Sequence, residues 1–439
     1  MILVTCDTLR PDHLGCYGYP LDTSPNVDAL AAESVLFLDA WSTTSLTGPA
    51  MSSMLSGLLP DEIGVSAGNN MQMPSPVETF PEILGRERIP TAAVVSNWVL
   101  QRAPAELGDV GVAQGFAFYD DQFTGQELNR PLYERNGPAT TAAAIAWLES
   151  QPEFAERPFF LWVHYQDPHG PYVPPGDLVD RFLEPGRDHE PPLRASESDH
   201  GVGAIPAYQV LPSERRPSRY RARYDGEIRA FDEAFGGFLA WLAERDLLED
   251  ALVIFTADHG ESLGEHDTWF CHGANLHAEE TRVPLLVRFP KGERKGERRK
   301  EIASLLDVFP TVLDAFGIAL PPRSFLGASL WNPDLPAGRI VPQSLAPFNA
   351  AQRVSAVTTE RFRLVFDRKA GFRLYDLVAD PGELSDHTTA NREVAASLID
   401  RARILLNPGR ATHTGLERTD EAMRKGLRAL GYTGGSEGH

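Results

Sequence analysis

The chain has 439 residues, of which 42% are hydrophobic and 23% are charged, as is ordinary for a globular protein with a large core. Its formal net charge of -20 argues against a nucleic-acid backbone or an anionic membrane surface as the main partner. An anionic substrate would therefore need a local positive field in the site, and a bound metal ion is the simplest source of one.

Short apolar runs alternate with helical patterns along the chain. In chain order, the sequence predicts strands at 1–5, 91–97, 158–166, 251–261 and 283–289. It predicts helices at 25–30 after Ser24, within the second half of 42–57, at 228–242, and between Pro310 and Gly317. Strands separated by helices indicate a parallel-rich sheet with helices on both faces.

Other segments break this alternation. Residues 174–219 are rich in Pro, Arg and Glu and indicate an exposed insertion or lid, and the charge run 291–301 indicates a solvated turn. Two apolar-rich runs around Ala370-Gly371, within 362–377, indicate a hairpin. We therefore predict a large domain over 1–340, and a small antiparallel C-terminal subdomain with a helical tail over 341–439.

Cysteine content and hydropathy suggest the cellular compartment. Cys6, Cys16 and Cys271 are an odd, sparse set, so we expect no disulfide framework. No apolar run approaches the ~20 residues of a membrane span. The strand-like start suggests a cytoplasmic protein, or a periplasmic or secreted one if an upstream export signal is missing. The sequence gives no oligomeric state.

Polar clusters follow three predicted strands: Asp7 with Thr8, residues 164–172, and residues 257–273. An isolated Asp or His in such a place is usually a turn former or a structural hydrogen bonder. Because ligands bind at the carboxyl ends of strands in such folds, the three clusters are predicted to converge. Asp and His suit a divalent cation, and Gly260 permits the turn that adjacent Asp258 and His259 need to bind one ion.

The run 42–57, "STTSLTGPAMSSMLSG", places many hydroxyl groups just before a predicted helix. Unpaired N–H groups and a partial positive charge mark the first turn of a helix. A hydroxyl there either caps the helix or attacks an anion held by the same field. The run alone leaves both interpretations open.

Several motifs together resemble one known family. "VTCDTLRPDHLGCYGY", "DPHGPY", "TADHGESLGEH" and "VPLLVRF" resemble the sulfatase branch of the alkaline phosphatase superfamily, as do the later "LYDLVADPGELSD" and "LRALGYTGG". The resemblance runs from end to end of the chain. It implies an α/β fold, with a large mixed, mostly parallel sheet flanked by helices and a small antiparallel C-terminal subdomain.

The resemblance also implies a metal site. Asp7, Asp258 and His259 fall where the family binds its divalent metal, here one Ca, Mn or Zn ion, and Thr47 completes the predicted metal-binding set. Thr8 stands where many members have a second aspartate, so one ligand of the family pattern is replaced. A second metal held by Asp167, His169 and His272 is an alternative, and His266 is a further candidate ligand.

The nucleophile position departs from true sulfatases, which carry Cys-x-Pro-Ser-Arg and convert the Cys to formylglycine. This chain has Thr47-Gly48-Pro49-Ala50-Met51 there, so no formylglycine is expected. Related threonine enzymes include phosphodiesterases, phosphonoacetate hydrolases and phosphoethanolamine transferases. His169 and His272 match histidines that face the transferred group in the last of these. Thr47, His169 and His272 are therefore the predicted catalytic residues, and Arg10 and Asp167 the predicted substrate-binding residues.

These residues together predict a metal-dependent hydrolase. Its expected substrate is a phosphate (di)ester, a phosphonate or a sulfate ester, either a small molecule or one linked to a glycan or lipid. Three alternatives remain: an arylsulfatase-like sulfuric ester hydrolase, a phosphoethanolamine-type transferase, and a family member that keeps the metal but has lost turnover.

Overall fold

The computed structural model describes residues 1–65, 69, 71–103, 111–151, 154, 157–183, 190–199, 201–345, 353–367, 371–406 and 416–417. The α-helices are α1 (Pro25–Ala32), α2 (Thr47–Ser56), α3 (Pro60–Ile63), α4 (Phe80–Arg86), α5 (Gly137–Glu149), α6 (Leu178–Phe182), α7 (Pro217–Glu244), α8 (Ala278–Thr281), α9 (Val308–Ala315) and α10 (Arg392–Leu405).

The strands are β1 (Ile2–Cys6), β2 (Val35–Trp41), β3 (Met71–Gln72), β4 (Thr91–Val95), β5 (Phe118–Asp120), β6 (Gly125–Gln126), β7 (Tyr133–Glu134), β8 (Phe160–Tyr165), β9 (Val253–Ala257), β10 (Ser262–Leu263), β11 (Trp269–Cys271), β12 (Arg282–Arg288), β13 (Arg298–Arg299), β14 (Ala303–Ser304), β15 (Val341–Leu345), β16 (Val354–Thr358), β17 (Phe362–Asp367), β18 (Gly371–Asp376) and β19 (Leu416–Glu417).

A mixed sheet forms the centre of the molecule, in the order β13-β2-β12-β9-β1-β8-β4-β5, with β14 also paired to β2. Its neighbours are parallel except for β12, which runs antiparallel to both β2 and β9. Every residue of β1, β4, β8 and β9 is buried, as expected of apolar strands covered on both faces. The predicted mixed, mostly parallel sheet is confirmed.

Helices cover both faces of this sheet. On one face, Phe231 and Phe235 of α7 lie against Phe255 of β9, with ring centroids 6.0 and 5.3 Å apart. On the other face, Phe80 of α4 contacts Phe160 of β8 edge-on at 5.0 Å. Side chains alternate across a strand, so the paired register of β8, β1 and β9 places Phe160 and Phe255 on opposite faces.

A separate antiparallel sheet, β15-β16-β17-β18, follows the main sheet in the chain. The predicted hairpin is confirmed, because Asp367 pairs with Gly371 and the two strands stay in register to Phe362 and Asp376. This sheet contacts the segment that follows β2, where the amide of Ser344 donates to the carbonyl of Thr43 at 3.0 Å. The domain boundary at 340 stays a prediction, and the motif at 427–435 lies outside the described residues.

Two segments differ from the sequence-based expectation. Residues 174–219 are not wholly exposed, because Ile205 and Gln209 are fully buried. The charge run 291–301 is not only a solvated turn. Its Arg299 is 3% exposed, pairs with Glu301 at 2.7 Å and covers the Phe37 ring at 5.1 Å. A long arginine can cover an aromatic ring while its charge is paired, and charge content alone does not reveal this.

Cys6, Cys16 and Cys271 carry free thiols. Within the described ranges, no helix has both the length and the apolar character needed to cross a bilayer.

Candidate functional site

Four neighbouring strands of the main sheet bring polar side chains to one edge. In the order β9-β1-β8-β4, the carboxyl ends carry Asp258, Asp7, His164 and Asn97. The register aligns these ends, since Cys6 lies opposite both Ala257 and Tyr165. The predicted convergence of the strand-end clusters is confirmed.

Asp7, His164 and Asp258 form a buried group of metal-ligating type, with one ligand atom of each within 4.8 Å of the others. All three side chains are fully buried. Asp7 Oδ1, Asp258 Oδ2 and His164 Nε2 have no hydrogen-bond partner among the described residues. Unpartnered carboxylate and imidazole atoms in the interior are costly unless a cation binds them, so this donor set fits a divalent metal ion.

Burial shifts the pKa of each member of this group. It raises the pKa of Asp7 to about 7, although His259 acts in the opposite direction. Burial also raises the pKa of Asp258, with Asp7 adding to the effect. It lowers the pKa of His164 to about 4, so His164 is neutral at pH 7 and its Nε2 is available as a ligand.

His259 faces the same group from one side. Its Nδ1 lies 2.9 Å from the carbonyl of Gly260, so the ring proton belongs on Nδ1 and the lone pair on Nε2. Nε2 lies 3.5 Å from Asp258 Oδ2 and 3.8 Å from Asp7 Oδ1. Glycine is required at 260, because a Cβ there would lie 2.1 Å from the carbonyl of Glu279. His259 therefore lies beside two of the three members, although it is not part of the group whose ligand atoms all lie within 4.8 Å of one another.

Thr47 is the first residue of α2, and its hydroxyl does not cap that helix. The N-cap residue is Leu46, which makes no side-chain capping bond. The Thr47 Oγ1 lies instead 3.3 Å from His259 Nε2, at the edge of the buried group of metal-ligating side chains. The interpretation of this hydroxyl as a helix cap is therefore wrong. The other interpretation remains, because the hydroxyl lies next to a group of metal-ligating side chains.

Two histidine rings lie beside Thr47 on the wall of a small cavity. The His272 ring is 4.5 Å from that of His259 and 5.2 Å from that of His169. Burial lowers the pKa of His272 to about 4 and also lowers the pKa of His169. The cavity is lined by Thr47, Asn69, Asn97, Trp98, Val99, Glu127, Arg130, Gln166, His169 and His272.

Arg130 brings a positive charge to this cavity that the sequence did not reveal. Its Nε donates to Glu127 Oε2 at 2.5 Å, and its guanidinium lies 4.1 Å from the Tyr208 ring centre. It is close enough to His169 and His272 to lower the pKa of both rings. Nothing around residue 130 in the sequence signals this role, because the loop reaches the cavity only in the folded chain.

Other predicted residues lie elsewhere. Arg10 pairs with Asp12 at 2.7 Å and with Glu265 at 2.8 Å, so its substrate-binding role stays a prediction. His266 stacks on His277, with ring centres 3.8 Å apart. It does not belong to the buried group of metal-ligating side chains that contains Asp7.

The structure does not bring the alternative second-metal residues together. Among the described residues, Asp167, His169 and His272 do not form a group with ligand atoms within 4.8 Å of one another. Asp167 instead lines a larger neighbouring cavity, which it shares with His169.

Comparison of the sequence with known families identifies one family. A family model described as Sulfatase matches residues 1–318. An N-acetylglucosamine-6-O-sulfatase of Bacteroides thetaiotaomicron is 25% identical over 467 residues, which cover 88% of this chain and 82% of that protein.

Solved structures are similar in fold. One, in complex with its substrate D-glucosamine-2-N,6-O-disulfate, has a TM-score of 0.74 at 21% identity and covers 93% of this chain and 97% of that one. A phosphonate monoester hydrolase of Agrobacterium radiobacter has a TM-score of 0.71 at 21% identity, covering 93% of this chain and 95% of that one. At these identities the likeness establishes the fold alone.

Proposed function

Because the chain belongs to the sulfatase family of ester-bond hydrolases, we propose that it cleaves a phosphate (di)ester, a phosphonate or a sulfate ester through a covalent intermediate on Thr47. One observation carries this proposal. The Thr47 hydroxyl starts a helix without capping it and lies 3.3 Å from His259 Nε2, beside the buried Asp7 and Asp258 carboxylates.

Asp7, His164, Asp258 and His259 are the residues that would hold a divalent cation. His164 takes the place of the ligand lost at Thr8, whose amide instead donates to Asp258 Oδ1 at 3.2 Å. Two imidazoles and two carboxylates favour Zn or Mn over Ca, which prefers oxygen ligands. When bound, such an ion supplies positive charge that lowers the pKa of an adjacent hydroxyl.

The walls of the small cavity would position the ester. Arg130 faces the place where anionic oxygens come to lie, and hydrogen bonds from a guanidinium to such oxygens are among the stronger ones in proteins. His169 and His272 are neutral without substrate because burial lowers the pKa of each. An anion placed between the rings favours their charged form, so substrate binding itself prepares a proton donor.

The chemistry then proceeds in two steps. Thr47 Oγ1 forms a bond to phosphorus or sulfur as the bond to the leaving oxygen breaks, and that oxygen takes a proton from His169 or His272. Water next attacks the same phosphorus or sulfur atom, which releases Thr47 and leaves the acid product. In the first step the other of these two histidines takes the hydroxyl proton of Thr47. In the second step it returns that proton to the released Thr47 oxygen, while the histidine that protonated the leaving oxygen takes one proton from the attacking water.

Substitution of Thr47 tests the proposal. Thr47→Ala should lower kcat by about a thousandfold or more, because no side-chain oxygen remains to attack. Thr47→Ser should keep partial activity and should leave transient mass on the peptide that contains residue 47.

Thr44→Ala in the same segment is the matched control and should stay near the wild-type rate. Metal content should be equal in all three variants. A Thr47→Ala protein that keeps the wild-type rate would assign the attack to water instead.

A further inference from the structure

Arg130, the arginine of the small cavity, lies in the turn of a hairpin. Strands β6 and β7 flank the turn, and the amide of Glu127 donates to the carbonyl of Leu132 across it, at 2.9 Å. The Arg130 side chain is only 6% exposed, and it lines the cavity together with Thr47. A turn does not by itself fix so long a side chain, so the contacts of the guanidinium decide where its charge lies.

The protein uses only one edge of the Arg130 guanidinium. Its Nε donates to Glu127 Oε2 at 2.5 Å, and within the described ranges Nη1 and Nη2 donate to no other group. A guanidinium carries five N–H groups in one plane, so four of them remain for another acceptor. Two oxygens of a tetrahedral anion match this planar arrangement. Arg130 can therefore stay paired with Glu127 and still bind the anionic end of an ester.

The ring of Tyr208 supports the same guanidinium from one face. The Arg130 Cζ lies 4.1 Å from the centre of that ring, within the range of a cation–π contact. Tyr208 is 5% exposed, and its hydroxyl donates to the carbonyl of Phe270 at 3.2 Å, which fixes the far end of the ring. Because an aromatic face attracts the cation without taking up its N–H groups, this contact holds Arg130 and leaves Nη1 and Nη2 for an anion.

The backbone around Tyr208 is also tied to the hairpin. Asn129 Nδ2 donates to the carbonyl of Tyr208 at 2.7 Å and to that of Val210 at 2.8 Å. Tyr208 belongs to a short 3₁₀ turn, Ala207–Gln209, within the insertion at 174–219. The insertion and the hairpin therefore contact each other through both backbone and side chains, and Tyr208 is where the insertion reaches the arginine of the site.

We propose that Tyr208 is a positioning residue for the reaction. Its ring holds Arg130 so that both Nη groups face the non-bridging oxygens of the phosphate, phosphonate or sulfate ester. The inference rests on the proposed function, because it takes the ester group to lie in the small cavity beside Thr47. The insertion then sets how tightly the anionic group binds, while the bond-making residues lie elsewhere in the chain.

Tyr208 also lies near His169, with ring centres 6.2 Å apart and ring planes 26° from parallel. An effect of Tyr208 through His169 would change proton transfer and therefore kcat. An effect through Arg130 changes the affinity for the anion itself. The two routes are therefore separated by measuring anion binding apart from turnover.

Calorimetry with inorganic sulfate and inorganic phosphate makes this measurement, because binding of either anion needs no attack by Thr47. Proteins of equal metal content are compared. Tyr208→Leu should raise the dissociation constant about fivefold or more, since the ring face that supports Arg130 is lost. Tyr208→Phe keeps that face and should stay within about threefold of the wild type.

Tyr119→Leu is the matched control. Tyr119 is 7% exposed, donates its hydroxyl to the carbonyl of Leu100 at 2.6 Å, and has the Arg102 guanidinium 5.6 Å from its ring centre. It does not line the small cavity. Tyr119→Leu should therefore bind both anions as the wild type does.

A double-mutant cycle assigns the effect to Arg130. In an Arg130→Gln background, Tyr208→Leu should cause no further loss beyond about twofold, because the group that the ring holds is absent. If Tyr208→Leu does not fold, a fluorinated phenylalanine at position 208 gives the same comparison against Tyr208→Phe. Fluorination keeps the shape of the ring and weakens its attraction for a cation.

An equal loss in the two backgrounds overturns the proposal, and so does a wild-type dissociation constant in Tyr208→Leu. A lower kcat with unchanged anion binding would assign the effect to His169 and overturns it as well. Failure of the wild type to bind either anion would remove the anion site at Arg130. If Thr47→Ala keeps the wild-type rate, the nucleophile assignment fails, but a positive cycle between Tyr208 and Arg130 still supports the positioning role.

Discussion

The His164 imidazole is buried within β8, where a strand histidine would normally be taken as a packing residue. Its Nδ1 lies 2.8 Å from Thr5 Oγ1, and its Nε2 lies 3.8 Å from Asp7 Oδ2 without a hydrogen bond. One ring nitrogen is thus held by a neighbouring side chain while the other points at a carboxylate, as in a typical metal-bound histidine. In the proposed metal site, this residue would supply the ligand that Thr8 does not.

We expect His164→Gln to lower the metal affinity, because an amide is a weaker ligand than a neutral imidazole. The expected loss is about tenfold to a hundredfold in the dissociation constant, measured by competition with a chelator. Asp258→Asn should lower affinity further, since it also removes a charge. His387→Gln, in the C-terminal region, is the control and should bind metal as the wild type does. Unchanged affinity in His164→Gln would remove this residue from the ligand set.

Helix α2 fixes the position of Thr47, which is its first residue. It ends at Gly57, whose φ of +70° lies in the left-handed region that favours glycine. A Cβ there would lie 2.9 Å from Phe309 Cγ and 3.1 Å from Phe325 Cδ1. The two rings stack 5.1 Å apart, so neither can move easily. The helix end is therefore defined both by its backbone conformation and by its contacts.

We expect Gly57→Ala to lower the free energy of unfolding by about 2–4 kcal/mol, from the left-handed backbone and the overpacked rings together. Gly317→Ala is the matched control. Its φ is +66°, but nothing lies within 4 Å of the added carbon, so only about 1–2 kcal/mol should be lost. Urea unfolding of both variants measures the difference. Equal losses would show that the Phe309 and Phe325 rings do not restrict this helix end.

Most elements of the fold could be predicted from sequence because their apolar patterns are local. The strands at 1–5 and 91–97 appear within two residues of the expected bounds, whereas the amphipathic helix expected at 228–242 begins eleven residues earlier, at Pro217. Strand β2 was missed, and the antiparallel direction of β12 could not be read from its apolar run. Strand direction depends on which strands become neighbours, and that is set by packing over the whole sheet.

The candidate site could be predicted only in part, for a similar reason. Asp7, Asp258 and His259 follow strands and carry a recognisable motif. Asn97 and Arg130 carry no such signal. Asn97 donates to Asp7 Oδ2 only because β4 lies two strands from β1 in the folded sheet. Residues that act through long-range contacts leave no local pattern, so the structure alone identifies them.

The molecule as a whole carries a net charge of -20 and also buries several carboxyl groups. Glu280 of α8 is fully buried, and its Oε1 accepts hydrogen bonds from Ser262 Oγ at 2.7 Å and Asn275 Nδ2 at 2.8 Å. Burial nevertheless raises the pKa of Glu280 to about 8. Burial likewise raises the pKa of Glu261 to about 8. The folded chain therefore holds protons that the unfolded chain releases near pH 4.

This proton balance predicts how stability depends on pH. Between about pH 4 and pH 8 the folded state binds more protons than the unfolded state, so the free energy of unfolding falls as pH rises through that window and levels off above it. Urea midpoints of the chelator-treated protein should therefore decrease from pH 6 to pH 8. Glu280→Gln should flatten this slope, because glutamine keeps an acceptor for Ser262 but has no charge. Glu244→Gln removes the same charge from the exposed end of α7 and controls for the net charge, so its slope should match the wild type. If Glu280→Gln and Glu244→Gln give the same slope, the pH dependence comes from overall charge repulsion and not from the buried carboxyl of Glu280.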